Sequence, residues 1–102
     1  MNIKLEHFNI LRKIFKDSYL SQRQIAKELN LSLGKVNYCI VELKKRGLIK
    51  IKNFKKNKNK SNYMYLLTPK GFSEKSKITL KFMKLKIKEY EELQKELDEK
   101  KY

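Results

Sequence analysis

The sequence of 102 residues contains few of the residues that cross-link, kink or open a chain: one cysteine, one proline and three glycines, with no tryptophan. The lone cysteine, Cys39, excludes a disulfide within the chain, and we interpret it as a small buried hydrophobe. His7 is the only histidine, so no His/Cys metal cluster can form within one chain. We expect His7 to lie on the surface or to pack on the first helix.

Catalytic and cofactor-binding motifs are also missing. The three glycines, Gly34, Gly47 and Gly71, are scattered, so the sequence has neither a phosphate-binding P-loop nor a dinucleotide-binding turn. We therefore predict that the protein is not an enzyme and binds no cofactor and no metal. No apolar run resembles a signal peptide or reaches the ~18 residues that a membrane span needs, so we expect a cytoplasmic protein without membrane contact.

Acidic residues are scarce: 11 Asp and Glu stand against 26 Lys and Arg, for a formal net charge of +15. Residues 1–69 carry 16 basic and 4 acidic side chains, so most of the excess positive charge lies in the first two thirds of the chain. Such a field attracts polyanions, of which nucleic acid is the commonest. Most of the cations are lysines, and a biased genome is an alternative source of that excess.

The spacing of apolar residues predicts three helices in the first half. Residues 4–16 place apolar side chains at intervals of three and four, which is typical of an amphipathic helix: Leu5, Phe8, Leu11 or Ile14, and Phe15. A capping box of Ser21 and Gln24 opens a short second helix that ends near Asn30. Ser32 is the predicted N-cap of a third helix, which ends at Gly47. Two such helices joined by a short turn predict a helix-turn-helix.

After Gly47 the pattern changes from helix to strand. Residues 48–52 and 63–67 alternate apolar and polar side chains around an Asn- and Lys-rich segment, which predicts a β-hairpin, the "wing" of a winged helix. Thr68 and Pro69 then begin a helix that can run to residue 100, over about 48 Å at 1.5 Å per residue. The predicted fold class is mainly α with a small β-hairpin (α+β). Its two parts are a winged helix-turn-helix DNA-binding domain at 1–68 and a long dimerisation helix at 69–102.

The third helix, at 32–46, is the predicted recognition helix. Val36, Ile40 and Leu43 form its apolar face, so the opposite face is available to the major groove. Asn37 can pair with adenine, Lys35 can reach guanine or phosphate, and Gly34 allows close approach of the backbone. The predicted DNA-contacting residues of this helix are Ser32, Gly34, Lys35, Asn37, Tyr38 and Lys45. An ordinary polar surface is the alternative interpretation of this face.

Two further sets of residues are predicted to hold phosphates. Residues 44–60 contain nine cations and no anion, and a lysine-rich hairpin tip can reach flanking backbone or the minor groove. The wing residues are Lys55, Lys56, Lys58 and Lys60. The start of the second helix offers unpaired N–H groups to a phosphate, at Ser21, Gln22 and Arg23. Solvated loops and simple helix capping are the respective alternatives.

The C-terminal helix carries an apolar stripe whose later spacings are those of a coiled-coil seam. The predicted dimerisation residues are Phe72, Thr79, Met83, Tyr90, Leu93 and Leu97, with Lys86 interrupting the stripe. Residues 70–88 hold seven cations and one anion, whereas 89–102 hold six anions and three cations, which suits an antiparallel pairing. The sequence leaves parallel pairing, and a helix folded back on its own domain, as alternatives. A homodimer is the favoured interpretation.

Three segments resemble the MarR family of winged helices. They are Ser21-Gln-Arg-Gln-Ile-Ala-Lys-Glu-Leu, Leu31-Ser-Leu-Gly-Lys-Val-Asn-Tyr-Cys-Ile-Val-Glu-Leu-Lys-Lys-Arg-Gly-Leu-Ile, and Tyr65-Leu-Leu-Thr-Pro-Lys-Gly. The chain looks most similar to the short branch of exopolysaccharide-associated regulators. The resemblance implies DNA contacts at Gly34, Lys35, Asn37, Tyr38 and wing residues 55–60. The additional helices that build the effector pocket of larger members are missing, which argues against a small-molecule effector.

The favoured function is that of a dimeric regulator of transcription, a repressor or modulator near a surface-polysaccharide locus, with double-stranded DNA as its partner. Two other functions stay open. One is an adaptor in which the winged helix and the long helix recruit a protein partner. The other is an RNA-binding winged helix.

Overall fold

A computed structural model describes residues 3–53 and 63–99. Within these two ranges, four helices and the two strands of one antiparallel sheet follow each other in the order α1–α2–α3–β1–β2–α4. Their bounds are α1 Leu5–Lys16, α2 Gln22–Leu29, α3 Leu33–Lys45, β1 Ile49–Asn53, β2 Tyr63–Leu67 and α4 Pro69–Glu99. The predicted fold class, a mainly helical winged helix-turn-helix followed by a long C-terminal helix, is confirmed.

The predicted helix boundaries are formed by the predicted caps. The Ser21 hydroxyl accepts from Gln24 N at 3.1 Å, and the Gln24 side chain accepts from Ser21 N at 2.8 Å, which completes the capping box of α2. Asn30 ends α2 in the left-handed region at φ 57°. The Ser32 hydroxyl accepts from Lys35 N at 3.0 Å and caps α3. These local signals set the turn between α2 and α3.

The end of α3 determines where the hairpin begins. Gly47 adopts a φ of +74°, which favours glycine, and Leu48 N donates to Leu43 O at 2.9 Å across it. Leu48 therefore belongs to the helix-terminating turn, and β1 starts one residue later than the alternation predicted. The register pairs Ile49 with Leu67 and Asn53 with Tyr63.

The core lies where α1, α2, α3 and the hairpin meet. Its fully buried side chains include Ile10, Leu11, Ile14, Ile25, Val36, Cys39, Ile40, Leu43 and Leu48. The predicted amphipathic helix is present as α1 with Phe8, Leu11 and Ile14 buried, whereas Leu5 and Phe15 at its two ends are 59% and 53% exposed. The helix turns its Ile10 and Ile14 face inward, and the intervals of three and four admitted either face. The interpretation of Cys39 as a buried hydrophobe is confirmed.

Helix α4 is attached to the end of α3 by a compact set of hydrogen bonds. Thr68 Oγ1 donates to Gly47 O at 2.6 Å and accepts from Gly71 N at 3.0 Å, which also caps α4. Thr68 N donates to Leu48 O at 3.0 Å. A Cβ on Gly71 would overlap the carbonyl group of Leu48, so the helix can approach this closely only because residue 71 is glycine.

The first half of α4 packs on α1 and the second half leaves the domain. Phe82 lies edge-on to Phe8 with ring centroids 5.3 Å apart, and Phe72 contacts Phe15 at 5.7 Å. From Leu80 to Glu99 every residue is exposed. The resulting shape is elongated, 67 Å long and 26 by 21 Å across. Within residues 3–53 and 63–99, no helix is long and apolar enough to cross a membrane.

Candidate nucleic-acid interface

Helix α3 presents two contrasting faces. Val36, Cys39, Ile40 and Leu43 are buried against α1, α2 and the hairpin, as the spacing predicted. On the other side Gly34, Asn37 and Lys45 are exposed, Tyr38 is 53% exposed and Lys35 is half-buried. The side chains that were assigned to the major groove are therefore on the surface of the fold, and Ser32 is at the N-cap that begins this face.

Asn37 is held by a chain of side-chain hydrogen bonds that the sequence did not reveal. Asn37 Nδ2 donates to Gln22 Oε1 at 3.3 Å, and Gln22 Nε2 donates to the Tyr65 hydroxyl at 3.2 Å. The chain thus joins α3, the start of α2 and strand β2. Because Gln22 accepts through its amide oxygen from Asn37 and donates through its amide nitrogen to Tyr65, the two contacts fix the orientation of Gln22 and place the amide nitrogen of Asn37 toward it. Neither bond uses Asn37 Oδ1.

Tyr38 lies between a cation and a buried imidazole. Lys35 Nζ is 5.9 Å from the centroid of the Tyr38 ring, and the His7 ring lies at a steep angle to the Tyr38 ring with centroids 6.4 Å apart. A cavity of about 480 Å³ separates this part of α3 from the N-terminal end of α1. Its lining residues are Ile3, Lys4, His7, Tyr38, Glu42 and Arg46.

His7 is buried, and both of its ring nitrogens have no hydrogen-bond partner within the described part of the chain. Burial, with a smaller contribution from the nearby Arg46 charge, lowers the pKa of His7 below its ordinary value of 6.5. The neutral ring is therefore the stable form. The sequence allowed packing against the first helix, but it gave no sign that the imidazole would be unpaired.

The N-terminus of α2 holds the predicted phosphate-contacting residues. The capping box uses the amides of Ser21 and Gln24, and this leaves the backbone N–H groups of Gln22 and Arg23 as the donors in the first turn. Arg23 is exposed, and Ser21 and Gln22 are half-buried. Gln22 also contacts Asn37, so this end of α2 is beside the reading face of α3.

Cations continue from α3 into the hairpin. Lys44 and Lys45 are exposed at the end of α3, and Lys50 and Lys52 are exposed on β1. Lys50 and Lys52 occupy alternate positions along β1, so they share one face of the hairpin. The wing residues Lys55, Lys56, Lys58 and Lys60 lie outside the described residues.

The residues assigned to dimerisation all lie on α4. Met83, Tyr90, Leu93 and Leu97 are 52–66% exposed, and no described part of the chain covers them. Thr79 is half-buried, and its hydroxyl donates to Lys75 O at 2.7 Å. Phe72 differs from the others, because it packs on Phe15 of its own chain.

Burial raises the pKa of the Cys39 thiol above its ordinary range, so Cys39 is not a thiolate near neutral pH. Within residues 3–53 and 63–99 there is no group of three His, Cys, Asp or Glu side chains that could hold a metal ion.

A family model described as winged helix-turn-helix DNA-binding matches residues 7–50, which run from α1 into β1. Two structural neighbours that cover 88–89% of the chain carry the same arrangement and are MarR regulators. The chain therefore has the winged helix-turn-helix fold that these MarR structures share. The resemblance predicted from the sequence is confirmed at this level, while the exopolysaccharide-associated branch stays a prediction.

Three solved structures illustrate the similarity of this chain to its structural neighbours. Staphylococcus aureus MarR, in complex with salicylate and kanamycin, has a TM-score of 0.75 and 23% identity over 89% of this chain and 59% of its own. The adhesin competence repressor AdcR of Streptococcus pyogenes has a TM-score of 0.74 and 20% identity, over 95% and 72%. Streptococcus pneumoniae FabT in complex with DNA has a TM-score of 0.68 and 21% identity, over 89% and 62%.

At these identities the matches establish a shared fold. The chain spans about three fifths of the length of the S. aureus and S. pneumoniae proteins. A comparison with curated protein sequences gives no significant match.

Proposed function

We propose that this protein is a dimeric, DNA-binding regulator of transcription that reads duplex DNA with α3. The single observation that carries the proposal is the exposed face of α3 with an oriented amide at Asn37, set on a winged helix-turn-helix. The fold it shares with FabT, whose structure is a complex with DNA, supports duplex DNA as the partner. Helix α3 enters the major groove with its first turns, from Ser32 to Tyr38.

Asn37 and Lys35 read bases in this proposal. An asparagine amide matches the N6 donor and N7 acceptor of adenine, and Asn37 Oδ1 is the acceptor left over by the contact with Gln22. Lys35 reaches guanine acceptors or a phosphate, and Tyr38 offers its hydroxyl to phosphate or its ring to a thymine methyl. A Cβ on Gly34 would meet no atom within 4 Å, so no contact inside the chain requires glycine there. This supports the interpretation that Gly34 makes room for DNA.

The remaining contacts supply affinity rather than sequence choice. The N-terminus of α2, at Ser21, Gln22 and Arg23, binds one phosphate, and Lys45 binds another. The wing lysines rest on flanking backbone or in the minor groove. Lysine is a compact charge without the planar fork of arginine, so these residues make binding sensitive to salt.

The second half of the proposed function is pairing through α4. Residues 1–68 serve as the DNA-binding domain, and residues 69–102 serve as the dimerisation helix. The support is the exposed apolar stripe on a helix whose residues from Leu80 to Glu99 are all exposed. Two copies then present two recognition helices, so the DNA site is expected to be a palindrome with half-sites spaced near one helical turn, ~34 Å, or a multiple of it.

The test is selection of bound sequences from random duplex oligonucleotides, followed by titration of the selected site. We expect a palindromic motif that contains adenine at the Asn37 position. If some 6–10 phosphates are contacted, affinity should fall roughly 10³–10⁵-fold between 50 and 200 mM salt. Failure to enrich any motif, with equal affinity for all duplexes, would contradict sequence-specific regulation.

Two controls separate the alternatives. Reversal of charge at Lys56 and Lys58 abolishes binding if the wing holds DNA, and leaves the protein unchanged if it acts as an adaptor. Direct competition between RNA and duplex DNA of the same sequence identifies an RNA-binding winged helix by its preference. The expectations that no small-molecule effector binds and that the regulator is a repressor stay predictions.

A further inference from the structure

The distal part of α4 carries a mainly apolar stripe that residues 3–53 and 63–99 leave largely exposed. The stripe consists of Thr79, Met83, Lys86, Tyr90, Leu93 and Leu97, with lysine at its third position. Leu93 is 59% exposed and Leu97 is 66% exposed, on a helix that extends beyond the rest of the fold. Large exposed apolar side chains at alternating intervals of three and four residues are typical of a helix–helix contact.

The spacing within the stripe has a symmetry that distinguishes two ways of pairing. Successive members are separated by four, three, four, three and four residues, so the order of intervals is the same from either end. Its centre is Lys88, which is equally far from Thr79 and Leu97 and from Met83 and Leu93. A second copy that runs in the opposite direction, with a twofold axis at residue 88, therefore places every stripe residue opposite another stripe residue.

Charge along α4 favours the same direction. Residues 70–88 hold seven cations and one anion, and the described residues 89–99 hold six anions and one cation. Parallel copies would bring like charges together along the whole seam, with Lys86 facing Lys86. Antiparallel copies bring the acidic half of each helix to the basic half of the other, and Lys86 then faces a tyrosine ring.

A groove beside the stripe can accommodate the acidic half of α4 from a second copy. It lies between α1 and the middle of α4 and has a volume of about 630 Å³. Its lining includes two cations, Arg12 and Lys86. The other lining residues are mainly apolar: Leu5, Phe8, Thr79, Phe82, Met83 and Ile87. Leu5, an apolar residue at the start of α1, is 59% exposed in this groove.

We propose that a second copy of this chain lies antiparallel along α4, centred on Lys88, with its Leu93 and Leu97 over the groove between α1 and α4. Met83 faces the partner's Leu93, and Thr79 faces the partner's Leu97. The acidic residues that flank those leucines lie near Arg12 and Lys86. This inference rests on the dimeric part of the proposed function, and it adds the direction, the register and the groove.

Cysteine cross-linking tests direction and register together. Met83 and Leu93 are ten residues apart, about 15 Å along a helix, which is well beyond the ~7 Å that a disulfide allows between Cα atoms. In the antiparallel dimer, Met83→Cys cannot link to itself and neither can Leu93→Cys, but the two link to each other. In a parallel dimer each variant links to itself.

The experiment co-expresses Met83→Cys and Leu93→Cys chains, one with a mass tag, and oxidises the product so that neighbouring thiols form disulfides. We expect the mixed cross-link to exceed either self-cross-link by about tenfold or more. The wild-type chain is the control, because Cys39 is fully buried and should not react. Self-cross-linking of both variants would show parallel pairing and overturn the inference. A monomer in sedimentation, or a dimer without any cross-link, would overturn it as well.

The readout does not depend on nucleic acid, so the two proposals fail separately. A mixed cross-link in a protein that binds no duplex DNA would keep this inference and remove the proposed regulator function. Specific DNA binding by a protein in which each cysteine variant links to itself would keep the proposed regulator function and remove this inference. If α4 instead receives a helix of another protein, the purified chain is a monomer and the inference fails.

Discussion

The domain formed by α1 to β2 and the distal half of α4 use similar side chains in opposite ways. In the domain, Leu43, Leu48 and Ile25 are completely buried, and hydrogen bonds join α2, α3 and β2. In the distal half of α4, Leu85, Leu93 and Leu97 are 54–66% exposed. Leucine therefore stabilises the fold in one region, whereas in the other it is available to a second molecule.

The largest expected effect separates these two uses of leucine. Leu93→Ala removes one seam leucine from each copy, and at about 2 kcal/mol for each truncation the dimer dissociation constant should rise about 10³-fold. Leu85→Ala is the matched control, because Leu85 is similarly exposed on the same helix but lies off the stripe. Sedimentation equilibrium measures both. Equal weakening by the two variants would contradict pairing through the stripe.

The sequence predicted the domain better than it predicted the site. Capping residues act on their own local amides, so Ser21, Ser32 and Thr68 could be read as helix starts from sequence alone. The contact of Gln22 with Asn37 and Tyr65 joins residues 15 and 43 positions apart, and no local pattern encodes such a contact. The exposure of Leu5 and Phe15 could not be predicted from the sequence, because amphipathic spacing does not state which side chains of a wide apolar stripe meet the core.

The second prediction concerns the point where the two regions join. Gly71→Ala places a methyl group on the Leu48 carbonyl, so α4 must move away and the free energy of unfolding should fall by about 1–3 kcal/mol. Gly34→Ala is the matched control, because its methyl group meets nothing in the chain and alanine favours a helix by up to about 1 kcal/mol. Urea denaturation compares them. Under the proposed function, Gly34→Ala also weakens DNA binding without loss of stability.

A smaller effect is expected inside the domain, at the hydrogen-bond chain that ends on Asn37. Tyr65→Phe removes only the hydroxyl that holds Gln22, which should cost about 0.5–1.5 kcal/mol and reduce the preference for adenine by up to about tenfold. Tyr63→Phe is the control on the same strand, because Tyr63 is 48% exposed. The measurement is the ratio of affinities for the selected site and a site with that adenine replaced. An unchanged ratio would mean that Asn37 needs no support from Gln22.

The smallest expected effect is a dependence of stability on pH. It arises from His7 in the domain and not from α4, which contains no histidine. His7 is buried near Arg46 and has no hydrogen-bond partner among the described residues. Its pKa in the folded protein therefore lies below 6.5, while the unfolded chain keeps the ordinary value. Well above pH 6.5, His7 is neutral in both the folded and the unfolded chain, and the free energy of unfolding has its full value. As the pH falls below 6.5 the unfolded chain binds the proton first, so the free energy of unfolding decreases until the folded-state pKa is reached.

His7→Leu should remove this slope, because the chain contains no other histidine. Denaturant melts of the wild type and the variant between pH 7.5 and about 5.5 give the comparison. Two groups near the ring oppose the main trend, since Glu42 and Glu6 raise the pKa of His7 while Arg46 and Lys4 lower it. A wild-type stability that rises on acidification would mean that these carboxylates prevail over burial, and that protonated His7 is the form that the cavity beside Tyr38 stabilises.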